Sequence, residues 1–453
     1  MSLYVTKKVS NSTMIVWLIC VSSLVLTFFS HYIGVSLLTI ISVGIMCTGV
    51  FFLPNNKKLA ILFCALPWIQ VLKIDSTQPT LYHLLFFIFV LVLLKDIKKI
   101  NIKILIMIIT FVIYILCVRL LNQNEMEYGV LPYILSLIFM VLLFPNLKQY
   151  YKADICLDMF SLGLITAFIA ERLYRDIPSM NVYLSNDTYA HSEAALRYGG
   201  LSNDANFTAM LVLIYLCFVV SSVENLNSSK IRKVSIILSS LVVIIFTFFT
   251  VSKMFFLGLI IISVFVILKK IKDYKLSTVV QYLLTIGIFI FTSYKLGYFD
   301  GIIYRLSLAT DIESITTGRS SILSQYQQFL FSEGEVLFFG IGMYDRVYYE
   351  DKSTHNTIIS AVYQLGIMGI LLIYIPLMIS LIRMAVLSLG TNVTKVSFLP
   401  IIILFLCMMS LDILMYEGLP LLLVIIIVCT MQQSTVSKRR DSHVKDFSNC
   451  SGL

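Results

Sequence analysis

From Gly297 the chain reads GYFDGIIYRLSLATDIESITTGRSSILSQYQQFLFSEGEVLFFGIGMYDRVYYEDKSTHN as far as Asn356, and then TIISAVYQLGIMGILLIYIPL to Leu377. The first piece carries Arg305, Arg319, Arg346, His355 and several acids, whereas the second is apolar almost throughout. Connections longer than about 15 residues are uncommon in compact domains and usually carry function or stay disordered. The change of composition at His355 sets the reading of the whole chain as apolar spans with working polar segments between them.

Apolar residues make up 58% of the sequence and charged residues 13%, with a mean hydropathy of +0.91. An ordinary soluble domain is roughly 45–50% apolar and about a quarter charged, so a soluble fold cannot cover this much apolar surface. Runs of about 17–25 apolar residues recur, each long enough to cross a hydrocarbon core of roughly 30 Å. The predicted fold class is therefore all-α, a polytopic integral membrane bundle.

Spans are expected at about 14–31, 33–53, 59–73, 80–94, 103–121, 130–145, 153–174, 205–222, 234–250, 254–268, 276–296, 356–382, 396–412 and 418–433, about fourteen in all and twelve at the fewest. One transmembrane domain then covers 1–433, with long polar loops at 175–204 and 297–355, and 434–453 is a polar tail expected to be disordered.

The net charge of +9 suggests nucleic acid in a soluble chain, but here the positions of Lys and Arg matter more than their sum. With both termini in the cytoplasm, about two thirds of the 34 Lys and Arg fall on the cytoplasmic side. Both long loops then face outward, away from ATP and nucleotide sugars. Of nine cysteines only Cys450 lies clear of the apolar segments, so no disulfide framework is implied. The first apolar run lacks a small-x-small cleavage site and reads as a retained span.

Candidate chemistry lies at the ends of spans. His355 and Asn356 stand where polar loop becomes helix. Asn356, or Thr354 before it, can cap that helix, whose dipole attracts anions and favours a neutral imidazole suited to general-base work. Arg197 precedes Tyr198-Gly199-Gly200 and the turn-forming run Ser202-Asn203-Asp204-Ala205-Asn206, which can offer backbone N–H groups to an anion. Lys253 lies in a short outer turn, where headgroup snorkelling competes with function.

Arg319 opens an expected helix over 318–332, capped by Thr317. Ile322, Leu323, Tyr326, Phe329 and Leu330 share one face of it, Gly334 is its stop, and it should lie along the outer interface. Arg119, and Glu171 with Arg172, sit near span ends and need partners there. The pairs Glu125/Glu127, Asp311/Glu313 and Glu333/Glu335 can bind a hard cation but are commoner in solvated loops. Tyr344, Tyr348 and Tyr349 suit sugar stacking or an interfacial belt. There is no nucleotide-binding glycine loop, Ser/His/Asp array or Cys/His zinc spacing.

Taken in order, Arg197-Tyr198-Gly199-Gly200-Leu201-Ser202-Asn203-Asp204-Ala205-Asn206, Ser252-Lys253, Thr317-Gly318-Arg319, Gly340-Ile341-Gly342 and His355-Asn356 resemble the motif series of the O-antigen ligase and O-antigen or capsular polysaccharide polymerase superfamily. The likeness covers roughly 190–375, and Lys253 replaces the family's more frequent Arg.

The resemblance implies the architecture of membrane glycosyltransferases that use polyprenyl donors, in the bacterial plasma membrane with an outward-facing site. It implies that undecaprenyl-pyrophosphate-linked oligosaccharide is both donor and acceptor, with no cofactor or metal. Arg197, Arg319 and Lys253 would bind the pyrophosphate, and His355 would be the catalytic base. Asn356, Tyr198, Asn203 and Asn206 would support them. The bilayer and a chain-length regulator are the other expected partners, and nucleic acid is not one. A polymerase of repeat units is the first reading. A ligase that moves the glycan to another acceptor is its rival, and a flippase of the lipid-linked sugar is the alternative from another class. A carrier should keep its polar groups near the bilayer midplane, whereas this chain places them at helix ends.

Overall fold

The computed structural model describes residues 2–75, 78–95, 102–122, 149–177, 198–202, 204–222, 230–273, 276–307, 319–343, 354–376 and 398–413, with scattered positions at 134–143, 180, 379 and 416–426. Among these residues there is no strand. The helices, in chain order, are α1 (Ser2–Ile33), α2 (Leu37–Phe52), α3 (Asn55–Ala65), α4 (Tyr82–Lys95) and α5 (Ile102–Leu121). There follow α6 (Ala153–Tyr174), α7 (Ala205–Ser222), α8 (Lys230–Phe248), α9 (Lys253–Asp273) and α10 (Leu276–Lys295). The last are α11 (Asp300–Ser307), α12 (Arg319–Ser332), α13 (Gly334–Phe339), α14 (Thr357–Gly369) and α15 (Leu399–Met408).

Among the described residues four helices are long and apolar enough to cross a membrane: Ser12–Ile33 within α1, then α6, α7 and α8. Exposed Leu18, Val25 and Phe29 on α1, Ile231 and Leu238 on α8, and Leu284 and Ile288 on α10 give the outside of a membrane-embedded helical protein. Other expected spans stop short for local reasons. The stretch 59–73 becomes α3 and a tight turn, Leu66–Trp68, with Pro67 inside it. The stretch 396–412 gives only the ten residues of α15 before the chain turns at Met409 and Ser410. The spans expected at 130–145 and 418–433 lie largely outside the described residues, and the 434–453 tail wholly so.

Helix α7 is the axis. Within its spanning window 89% is buried, against 28% for α1 and α8, so α7 is central and those two are peripheral. It packs on α6, α8, α9 and α15. Helix α6 in turn presses on α3: a Cβ on Gly163 would sit 2.3 Å from the Cys64 carbonyl. Trp68 spans the same contact, donating from Nε1 to Gly163 O at 3.2 Å.

Around α14 a second group gathers. The face expected on α12 is the one that packs: Tyr326 and Leu330 are buried, and the Tyr326 and Phe329 rings meet Tyr363 edge-on at 5.3 and 6.0 Å. That face therefore lies against protein. Gly334 does not stop the helix. The break falls at Glu333, whose carbonyl accepts from Leu337 N (3.1 Å) and starts α13, while Gly334 faces open space and needs no left-handed backbone.

Within α14 the chain is interrupted at Gly366 (φ 63°, ψ 176°), where Gly340 (φ 74°) crosses it. A Cβ on Gly340 would lie 2.4 Å from Gln364 O, and one on Gly366 2.4 Å from Phe338 O, so the crossing requires glycine on both sides. The carbonyls near the break are taken from outside the helix: Ile341 N donates to Tyr363 O (3.0 Å) and the Tyr114 hydroxyl to Leu365 O (2.6 Å).

Candidate functional site

At the C-terminal end of α6, Glu171 is 1% exposed, and its carboxylate accepts from the N–H of Gly199 (2.7 Å) and of Gly200 (2.6 Å) and from Arg175 (2.9 Å). Charge-assisted bonds of this kind are short and strong, and they answer the cost of a buried carboxylate. Gly200 takes φ 64°, and the Thr208 hydroxyl donates to Gly199 O. Tyr198 N donates to Phe249 O at 2.9 Å, Arg172 donates to the Tyr198 hydroxyl at 3.0 Å, and the Arg175 guanidinium lies 4.3 Å from the ring centroid.

Within the run 202–206, expected to offer N–H groups to an anion, two are taken inside the turn itself: Asp204 N bonds Ser202 Oγ (3.4 Å) and Asn206 N bonds Asp204 Oδ1 (2.8 Å), while Gly199 and Gly200 before it give theirs to Glu171. Arg197 and Asn203 lie outside the described residues.

Helices α7 and α9 start side by side. Buried Asn206 accepts at Oδ1 from Ser252 Oγ (2.8 Å), and Ser252 caps α9 by accepting from Phe255 N (3.3 Å). Val251, at φ 49°, holds a left-handed backbone that a β-branched residue rarely adopts. Lys253 is half-buried and is the first residue of α9. A cation at a helix N-terminus adds to the dipole's positive end, and the two together favour an anion.

Arg319 is likewise the first residue of α12, and its Nη1 donates to Ser410 O at 2.9 Å. His355 and Asn356 enter α14. Of the two possible caps Asn356 is the one, accepting at Oδ1 from Ile358 N (2.9 Å) and Ile359 N (3.2 Å). Thr354 braces it, with its hydroxyl donating to Asn356 O (2.9 Å). His355 stands between them, half-buried, at φ 47°. Residues held in this region of backbone space cluster at functional sites.

The connection between α15 and the chain's last described residues joins these parts. Ser410 O receives Arg319 of α12, while Leu411 O receives the Thr357 hydroxyl of α14 at 2.6 Å. Further along, Tyr416 stacks on Phe207 of α7 at 5.2 Å. Arg319 and Thr357, the residue after the cap Asn356, therefore meet through Ser410 and Leu411, while Phe249 and Ser252 tie Tyr198 and Asn206 together beside Lys253. Ser410 and Leu411 thus touch the first group, and Tyr416 touches Phe207, the neighbour of Asn206 in the second.

Sequence reasoning passed over Thr357, Ser360, Gln364, Ser410 and Asp412. The signals were the spacing 356, 360, 364 of polar residues on one face of an apolar helix, and an Asp closing the apolar run at 399–413. Glu171 was noted only as needing a partner.

The other end of the bundle has a different character. Lys57 Nζ donates to Ser12 Oγ (2.5 Å) and Thr13 Oγ1 (2.8 Å), Lys152 pairs with Asp154 (3.5 Å), and Arg232 pairs with Asp154 (3.9 Å) and Asp158. Asp154 and Glu171 lie near opposite ends of α6, a rod of about 33 Å at 1.5 Å per residue.

Among the described residues no group of three or more His, Cys, Asp or Glu is arranged to hold a metal ion. Glu125, Glu127, Asp311, Glu313, Thr317, Gly318, Tyr344, Arg346, Tyr348 and Tyr349 lie outside the described residues. Chemically, the arrangement offers cations at helix N-termini for an anionic group and an imidazole at the mouth of a capped helix. Compared with models of known protein families and with characterised proteins, the chain matches none.

Proposed function

We propose that this chain is a polysaccharide polymerase that joins undecaprenyl-pyrophosphate-linked repeat units on the outer side of a bacterial plasma membrane. One observation carries the reading: Arg319, the first residue of α12, and Thr357, the first residue of α14 and two residues after His355, bond to adjacent carbonyls of one short segment, Ser410 and Leu411. The order of the motifs from Arg197 to Asn356 supports it further.

In the reaction, the acceptor sugar's hydroxyl gives its proton to His355, and its oxygen forms the new bond to the anomeric carbon of the donor. The bond from that carbon to the pyrophosphate oxygen breaks, and the pyrophosphate leaves with the electron pair. Arg197, Arg319 and Lys253 meet the charge that develops there, so the leaving group needs neutralisation more than a proton. Configuration inverts because one displacement occurs. Loss of one such cation should cost about 10²–10³ in rate, by analogy with removal of one oxyanion donor.

About fourteen spans with both termini in the cytoplasm complete the reading. Lys57, Lys152 and Arg232 gather at the end of α6 that this reading turns to the cytoplasm, while Arg172, Arg175 and Lys253 stand at the end it turns outward.

The test is the surface glycan of a deletion strain carrying Arg197→Ala, Arg319→Ala or His355→Ala, resolved on a gel. A polymerase leaves a single repeat on the anchor while long chains disappear. Complete loss of the repeat means a ligase, and lipid-linked repeats trapped on the cytoplasmic face mean a carrier.

A further inference from the structure

We infer that Asp412 is a positioning residue for Arg319: it pins the Ser410–Ile413 strut to α14, and the strut fixes the guanidinium relative to His355. The inference rests on the reading of Arg319 as part of an anion site.

Four successive residues of the strut each bond to α12 or α14. Ser410 O accepts from Arg319 Nη1 at 2.9 Å. Leu411 O accepts from Thr357 Oγ1 at 2.6 Å, and Ile413 N donates to that same hydroxyl at 3.0 Å, which uses its single proton and one lone pair. Asp412 Oδ2 accepts from Ser360 Oγ at 2.5 Å, and Gln364 Nε2 donates to Ser360 Oγ at 3.2 Å.

The Ser360 hydroxyl has one proton and spends it on Asp412, so Gln364 must be the donor to Ser360. The chain of bonds therefore runs one way, toward a carboxylate, which is the arrangement that strengthens each link. Thr357, Ser360 and Gln364 are all buried, and Asp412 is half-buried. An acid at this depth beside an apolar helix is costly, and these bonds offset that cost. The strut thus sits between the helix that begins with Arg319 and the helix entered through His355 and Asn356, with Asp412 as its charged anchor.

The test uses the full-length protein in nanodiscs, with undecaprenyl pyrophosphate alone as the probe and the unfolding midpoint recorded for every variant. Asp412→Ala should weaken binding about tenfold, the loss expected when one charge-assisted bond no longer holds a ligand-binding cation in place. Ser360→Ala should mirror it, and Asp412→Asn, whose amide oxygen still accepts from Ser360, should restore most of the affinity. In an Arg319→Ala background, Asp412→Ala should have no further effect, because both act through one guanidinium.

Wild-type affinity in Asp412→Ala, or a tenfold loss that persists without Arg319, overturns the inference while leaving the anion site standing. Absence of binding by the wild-type protein overturns both. If Asp412→Ala fails to fold, Ser360→Ala, alone and in the Arg319→Ala background, decides the matter by the same comparison.

Discussion

Replacing Glu171 by Ala removes the acceptor for three donors at once, the N–H groups of Gly199 and Gly200 and the Arg175 guanidinium. Gly199 and Gly200 are buried, so each amide would face the penalty of an unmet buried donor, about 1–3 kcal/mol. Arg175 is 19% exposed and regains water more readily, so its share is smaller. The terms overlap, because one relaxation of the 198–200 turn relieves all of them. The expected cost is about 3–5 kcal/mol, the range for removing one partner of a buried charged pair.

Glu171→Gln keeps one carbonyl oxygen but turns an NH₂ toward the second amide, and should cost about half as much. The measurement is an SDS titration in mixed micelles, followed as apparent unfolding free energy for the wild type and both variants. An Ala variant within about 0.5 kcal/mol of wild type, the usual span of surface substitutions, would refute the clamp.

His355 at φ 47° occupies backbone space that Asn also tolerates, so His355→Asn should fold normally and make no long chains, and a strain that still makes them removes the imidazole from the chemistry. His355→Val should add about 1–2 kcal/mol of strain to the same loss of activity, measurable as a lower unfolding midpoint. Gly340→Ala should destabilise by more than about 2 kcal/mol, since the new Cβ meets backbone in a left-handed turn. Gly334→Ala, which meets open space, should be neutral or stabilising by about 0.5–1 kcal/mol, and equal effects of the two glycine changes would contradict the crossing at Gly366.

The parts legible in the sequence were those written in local pattern. Helices α6 and α7 begin and end where the apolar runs do, Asn356 caps the helix it precedes, and α12 packs on the face that a 3.6-residue period assigns to it. What escaped depends on a distant partner. Gly366 is an ordinary residue of an apolar run until Phe338 O comes within 2.4 Å of where its Cβ would be. Gly199 and Gly200 read only as flexible backbone because nothing near them in the chain shows that Glu171, 28 residues before Gly199, holds their amides. Asp412 was only the last residue of the span expected at 396–412, since its bond to Ser360 crosses 52 residues.

The interruption of α14 divides one apolar run into two mechanical parts. Its first turns, from Asn356 to Leu365, are tied to Ile341, just past α13, and to Tyr114 of α5, and Tyr114 also packs against Gly369 beyond the break. A displacement of the run beyond Gly366 meets the backbone of Phe338 and Phe339 at this crossing before it reaches the turns that follow His355.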